Sequence, residues 1–336
     1  MRIFPVDKKD AEFLFRDLSR DYKIIAPIEK IGQGRLSDTN LVTYDEVKSF
    51  EEIEFFKKSH FTAKTVLFPV REAMFEFQGN TIKEIFKESP PTILFLRACD
   101  INAISVTDAH FLKDGGKEDN YYKANRSRVK FFLIECRQAF DNCFCVSMAA
   151  NKTEDYSAFI RKTGAGYEIG LKGDGFKEYF LNRKEVPGAP NFIEKDPQGI
   201  SVPEEIDVSV FGQDLWKEYS SRCIGCGRCN TSCPTCTCFT IQDTPKDDDG
   251  GAWHRKRIWS SCQAKKFSLL AGTHDFRIPQ GDRMRYKVLH KIRDFKKRHG
   301  MHMCVGCGRC DEVCPEYISM LKCVQRLNEI IEAPKK

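Results

Sequence analysis

Two twelve-residue segments of this chain repeat each other at an offset of 81 residues. The first is Cys223-Ile224-Gly225-Cys226-Gly227-Arg228-Cys229-Asn230-Thr231-Ser232-Cys233-Pro234. The second is Cys304-Val305-Gly306-Cys307-Gly308-Arg309-Cys310-Asp311-Glu312-Val313-Cys314-Pro315, and eight of the twelve positions are identical. Three thiols spaced two residues apart can face one centre only on a tight turn. Gly225, Gly227, Gly306 and Gly308 supply the positive φ such a turn uses. The proline after the fourth cysteine then redirects the chain.

Each segment reads C-x2-C-x2-C-x3-C-P, the spacing of the bacterial-type [4Fe–4S] ferredoxin motif. A structural zinc site is the competing reading, but zinc favours two separated C-x2-C pairs. In two-cluster ferredoxins the fourth cysteine ligates the other cluster. Carried over, one cluster takes Cys223, Cys226, Cys229 and Cys314, and the other takes Cys304, Cys307, Cys310 and Cys233. The 70 residues from Pro234 to Met303 are far more than a minimal ferredoxin needs, and they look helical. The layout therefore predicts an α-helical ferredoxin domain.

The remaining composition narrows the setting. Sixteen cysteines in 336 residues, with no apolar leader at Met1–Lys9, predict a cytoplasmic protein whose thiols serve metal or redox chemistry. No apolar run approaches the ~18 residues of a membrane span. A net charge of +6 is too slight to argue for nucleic acid.

Four cysteines precede residue 200 and twelve follow it. With Pro187-Gly188-Ala189-Pro190 and Asp196-Pro197-Gln198-Gly199 nearby, this predicts a boundary there. The expected fold class is α+β. A mixed α/β domain over 1–200, probing no obvious chemistry and suited to partner docking, precedes an α-helical dicluster ferredoxin domain over 201–336. In the first part, Glu12–Leu18 has helical spacing, with Phe13, Leu14 and Leu18 on one side. Thr65–Val70, Ile93–Leu96 and Val129–Ile134 read as strands. Residues 100–112 between the last two read as a helix, hence a βαβ unit. Hairpins are expected around Gly79-Asn80 and Gly164-Ala165-Gly166. The second part shows few β-rich runs. An amphipathic helix over 283–298 sets Met284, Val288, Ile292 and Phe295 on one face, and another after Pro315 aligns Ile318, Leu321, Val324 and Leu327. The basic residues of the first, from Arg283 to Arg298, read as a solvated face or as a surface steering an acidic partner.

The other eight cysteines are less constrained. Free cysteines are commonly small buried hydrophobes. Yet Cys236 and Cys238, with Cys262 after Trp259-Ser260-Ser261, and Cys143-Phe144-Cys145 also fit a third cluster. That cluster would draw on Cys236, Cys238, Cys262 and one of Cys143 or Cys145. Cys99, at a strand end, reads first as a buried residue, and Cys136 and Cys323 as packing. No catalytic constellation, G-x-G-x-x-G or P-loop is present. The chain has electron carriers without a site for substrate chemistry.

Beyond the two motifs, several segments resemble the A subunits of anaerobic sulfite reductases: Arg97-Ala98-Cys99-Asp100-Ile101-Asn102-Ala103, Leu133-Ile134-Glu135-Cys136, Asn142-Cys143-Phe144-Cys145-Val146-Ser147-Met148, Cys233-Pro234-Thr235-Cys236-Thr237-Cys238 and Trp259-Ser260-Ser261-Cys262. The resemblance implies a non-catalytic relay in an anaerobic NADH-dependent sulfite reductase complex. Electrons would come from an FAD/NADH flavoprotein subunit and go to a sirohaem subunit reducing sulfite to sulfide. The β subunits of soluble [NiFe] sulfhydrogenases are similar too and keep the relay role while changing the terminal enzyme. A stand-alone iron–sulfur sensor is a third reading.

Overall fold

A computed structural model describes residues 1–36, 38–86, 88–246 and 251–333. The strands are β1 (Arg2–Asp7), β2 (Lys23–Lys30), β3 (Leu41–Glu46), β4 (Arg71–Gln78), β5 (Thr81–Glu84), β6 (Thr92–Leu96), β7 (Val129–Ile134), β8 (Ala158–Lys162), β9 (Gly166–Leu171), β10 (Val186–Pro187), β11 (Phe239–Pro245) and β12 (Ala252–Trp259). The helices are α1 (Lys8–Asp21), α2 (Ala98–Lys113), α3 (Asn120–Ser127), α4 (Leu215–Arg222), α5 (Arg228–Thr231), α6 (Gln280–Leu289), α7 (Phe295–His299), α8 (Arg309–Glu312) and α9 (Met320–Glu332).

Eight strands form one sheet in the order β10-β1-β9-β8-β7-β6-β2-β3. Its centre, β2, β6, β7 and β8, is parallel, and antiparallel strands flank it on both sides. The expected βαβ unit is β6–α2–β7. Alternation along β6 decides which face each residue serves. Ile93 and Phe95 join α1 residues Leu14, Phe15 and Leu18 on one face, while Leu94 and Leu96 meet Ile101 and Ile104 of α2 on the other. Both faces are covered, as a parallel sheet requires.

Helix α2 has two jobs. Ile101, Ile104 and Phe111 pack on the sheet, whereas Ala103, Val106 and Ala109 belong to the core of the cysteine-rich half, with Trp216, Val288, Phe295 and Leu321. A helix apolar on all sides is a buried one. That core takes Met284, Val288, Ile292 and Phe295 from one long rod: α6, a single π-type turn at His290–Asp294, then α7. Gly300, at φ 72°, ends the rod. The apolar residues of α9 fill the same core.

Three expectations need correction. The strand expected over Thr65–Val70 is absent: residues 63–66 form a 3-10 turn, where the Thr62 hydroxyl accepts the Lys64 N–H at 3.1 Å, and residues 67–70 are turn and bend leading into β4. On α1, Ala11, Leu14, Phe15 and Leu18 face inward, and Phe13 is 43% exposed. The cysteine-rich half is not purely helical. Its hairpin β11–β12 pairs β12 with β4 in a second sheet, ordered β11-β12-β4-β5. Thus a ladder of backbone hydrogen bonds crosses the boundary expected near residue 200.

Candidate iron–sulfur centres

The two motifs take the same local shape. Gly225 and Gly227 have φ of 70° and 74°, and Gly306 and Gly308 have 63° and 70°. A short helix, α5 or α8, starts directly after the second glycine of each loop, and the two helices pack together. Cys233 and Cys314 follow these helices by two residues.

Two cavities lie beside them. Cys223, Cys226, Cys229 and Cys314 all line one, which is closed by Met284, Ile318 and Met320. Cys233, Cys304, Cys307 and Cys310 line the other, with Phe144 and Met320. Each set of four is the set expected from crossed ligation, and Cys310 also borders the first cavity. Cys226 is exposed, while Cys307 is buried.

The charge around the cavities tests what would fit them. Lys287 lines both cavities and Lys291 the second, at 4% and 3% exposure. Among the described residues neither forms an ion pair with a carboxylate. A buried ammonium is costly without an anion. Burial opposes the charge on Lys287, but the sulfurs of Cys229, Cys310 and Cys236 favour it and its pKa lies well above the lysine value. Lys291 likewise faces Cys233, Cys236 and Cys304 and donates to the Thr235 hydroxyl at 2.8 Å. Eight thiols around two cavities, with buried cations between them, are the donor set and the counter-charge that anionic iron–sulfur clusters need. These lysines correct the sequence reading: Arg283, Lys287 and Lys291 are buried, so the rod presents no continuous basic face. The i,i+4 spacing of Lys287 and Lys291, beside the apolar residues 284, 288 and 292, was the available signal.

The first half of the chain grips both motifs, which the sequence did not reveal. Lys58 Nζ reaches Cys307 O at 3.1 Å and the Glu312 carboxylate at 2.5 Å. Lys64 Nζ donates to the carbonyls of Asn230, Cys233 and Cys236 at 3.2, 2.9 and 2.8 Å, over the Trp259 ring at 4.1 Å. Backbone at 142–145 lies against the second loop: Phe144 N donates to Gly306 O at 2.8 Å.

The five further cysteines divide into two groups. Cys238 precedes β11 and Cys262 follows β12. Ser260 N donates to Cys238 O at 2.8 Å, so the hairpin brings the two cysteines together with Cys236 and the end of the first motif. Cys262 Sγ accepts from Asn230 Nδ2 at 3.2 Å. Cys143 and Cys145 instead sit with Cys136, on the side of the second motif. The structure therefore separates the two sources from which a mixed third site was expected to draw.

Residues 222–318 match the family of 4Fe–4S dicluster domains. The chain is 27% identical over 328 residues to the sulfhydrogenase 2 beta subunit of Pyrococcus furiosus, a span covering 90% of this chain and 94% of that protein. No solved structure matches it. The matched domain is one that carries two [4Fe–4S] clusters, and the chain is an iron–sulfur electron-transfer protein related to that beta subunit. No helix among the described residues is long and apolar enough to cross a membrane.

Proposed function

We propose that this chain is the electron-relay subunit of a multi-subunit oxidoreductase. Cys223, Cys226, Cys229 and Cys314 hold one [4Fe–4S] cluster; Cys304, Cys307, Cys310 and Cys233 hold the other. The observation that carries the reading is that each of these sets of four lines a single cavity. Bound there, a [4Fe–4S] cluster supplies one-electron exchange. The chain's own residues do the rest. Lys287 and Lys291 set positive charge against the added negative charge, which favours reduction. Met284, Ile318, Met320 and Phe144 keep water from the sulfurs. Exposed Cys226 leaves the first centre within reach of the surface, where a partner can dock.

The partner reading best supported is sulfhydrogenase-like, because the similarity to the beta subunit spans nearly all of both chains. The relay then works between an NADH-oxidising flavoprotein and a nickel–iron subunit, in an anaerobic, cytoplasmic setting. A sirohaem sulfite reductase as terminal partner is supported by the segments at Asn142–Met148 and Trp259–Cys262. The test is anaerobic co-purification of the chain with its partners, followed by NADH-driven hydrogen evolution and sulfite reduction measured in parallel. The product formed identifies the terminal partner. Cys226→Ser or Cys307→Ser should abolish the NADH-driven reaction and spare the same reaction driven by an artificial dye. Survival of the NADH-driven reaction in both variants refutes the relay.

A further inference from the structure

The four cysteines of the first half gather at one place. Cys99 is the second residue of α2, three beyond the end of β6, and Cys136 lies two residues beyond β7. Cys143 and Cys145 follow in the next loop. Open α/β sheets place their sites outside the carboxyl ends of such parallel strands. Cys99, Cys136 and Cys145 line one cavity there, beneath Leu133, Phe192 and Ile193. Its volume, ≈ 20 Å³, equals that of the cavity beside the second motif. The fourth, Cys143, does not line this cavity but lies within electrostatic reach of Cys136 and Cys145, as Cys99 does of Cys145.

The surroundings share buried cations with the two motif cavities, although Lys58 here also pairs with the Glu312 carboxylate at 2.5 Å. Arg97 is buried, with Nη1 3.3 Å from Cys136 Sγ and Nη2 bonded to the carbonyls of Phe55 and Lys57. Buried Lys58 places Nζ 3.9 Å from Cys143 Sγ. Cations fixed against sulfur suit a group that carries negative charge. The site also touches the second centre: Cys143 Sγ lies 3.7 Å from Cys307 O, and Phe144, between Cys143 and Cys145, lines the second-motif cavity.

We propose that Cys99, Cys136, Cys143 and Cys145 hold a third iron–sulfur cluster of the cubane class, in the α/β half of the chain. This gives that half a carrier of its own, set next to the second motif rather than the first. It deepens the relay reading but does not depend on the identity of any partner, since metal content is measured on the isolated chain.

The test uses the full-length protein, purified and reconstituted anaerobically. Iron, acid-labile sulfide and zinc are counted, and dithionite-reduced clusters are quantified by EPR. The wild type should hold about twelve iron atoms, and Cys136→Ser/Cys145→Ser about eight with two cluster signals intact. A second variant, Cys238→Ser/Cys262→Ser, should keep about twelve. The proposal is overturned if the wild type holds about eight iron atoms, if the four cysteines bind zinc instead, or if the hairpin variant is the one that loses about four. Should the first variant fail to fold, the wild-type count and the hairpin variant together still decide.

Discussion

Arg309 and Asp100 form a buried two-point ion pair, 2.6 and 2.8 Å between guanidinium nitrogens and carboxylate oxygens, with 1% and 3% of their side chains exposed. Arg309 belongs to the second cysteine motif and Asp100 follows Cys99 on α2. The same guanidinium donates to Ser59 O and Oγ at 2.9 and 2.8 Å, and the Tyr44 hydroxyl donates to Asp100 at 3.2 Å. One arginine thus ties the second centre to the sheet. Asp100→Asn should leave that charge buried without its anion and cost about 3–5 kcal/mol. Arg309→Lys should also destabilise, because a point charge cannot satisfy a forked set of acceptors. Anaerobic thermal unfolding measures both; an unchanged midpoint in Asp100→Asn would remove the pair from any structural role.

Lys287 and Lys291 should raise the reduction potentials of the two motif centres. Removing a buried positive charge disfavours the more negative, reduced state. Lys287→Met should shift both centres downward, and Lys291→Met mainly the second, by roughly 60–150 mV. EPR-monitored redox titration reads the shift. Potentials that stay in place would show that the ammonium charges are compensated elsewhere.

Crossed ligation has its own signature. Cys314→Ser should alter the same EPR signal as Cys226→Ser, although Cys314 lies in the other motif. Cys233→Ser should in turn match Cys304→Ser. If each replacement followed the motif it sits in, the ligand sets would be sequential and the crossed assignment wrong.

Gly308 and Gly300 separate two effects of a side chain. Both have φ near +70°, but a Cβ on Gly308 would come within 2.2 Å of Asn142 O, while one on Gly300 meets nothing within 4 Å. Gly300→Ala should cost only the left-handed strain, about 1–2 kcal/mol. Gly308→Ala should cost clearly more and should loosen the loop at 142–145. Denaturant unfolding of the two variants compares them directly.

Loss of iron should destabilise the fold beyond the loss of the metal bonds. With the clusters removed by chelation, only the cysteine sulfurs face the Lys287 and Lys291 ammonium groups, and the loss of the cluster's charge should lower stability by several kcal/mol. The double variant Lys287→Met/Lys291→Met should narrow the gap between iron-loaded and iron-free unfolding midpoints. An unchanged gap would mean that the lysines are not stabilised by the centres.

Several elements were legible because one local signal sufficed. The apolar runs Ile93–Leu96 and Val129–Ile134, with a helical pattern between them, announced the parallel unit that is β6–α2–β7. The hairpin β4–β5 followed from Gly79-Asn80. The hairpin β11–β12 was not legible, because its partners lie far away in the chain. His254, Arg255, Lys256 and Arg257 show no apolar face, and what holds Arg257 is a buried pairing with Glu72 and Asp119 at 2.6 and 2.5 Å. Lys58 and Lys64 were unreadable for a related reason: lysine is ordinarily exposed, and only a folded set of carbonyls and sulfurs makes its burial favourable.

The sequence alone determined the chemistry of the two motifs. A spacing of x2, x2 and x3 with glycines between the thiols is a local constraint, written in consecutive residues and repeated. The crossed grouping of the eight motif cysteines was expected from it as well; tertiary structure alone decided which cations stand beside them and how the first half takes part. Those depend on contacts between residues as far apart as Asp100 and Arg309. Such contacts are set by the packing of α2 between a sheet and a helical core, which no short stretch of chain encodes.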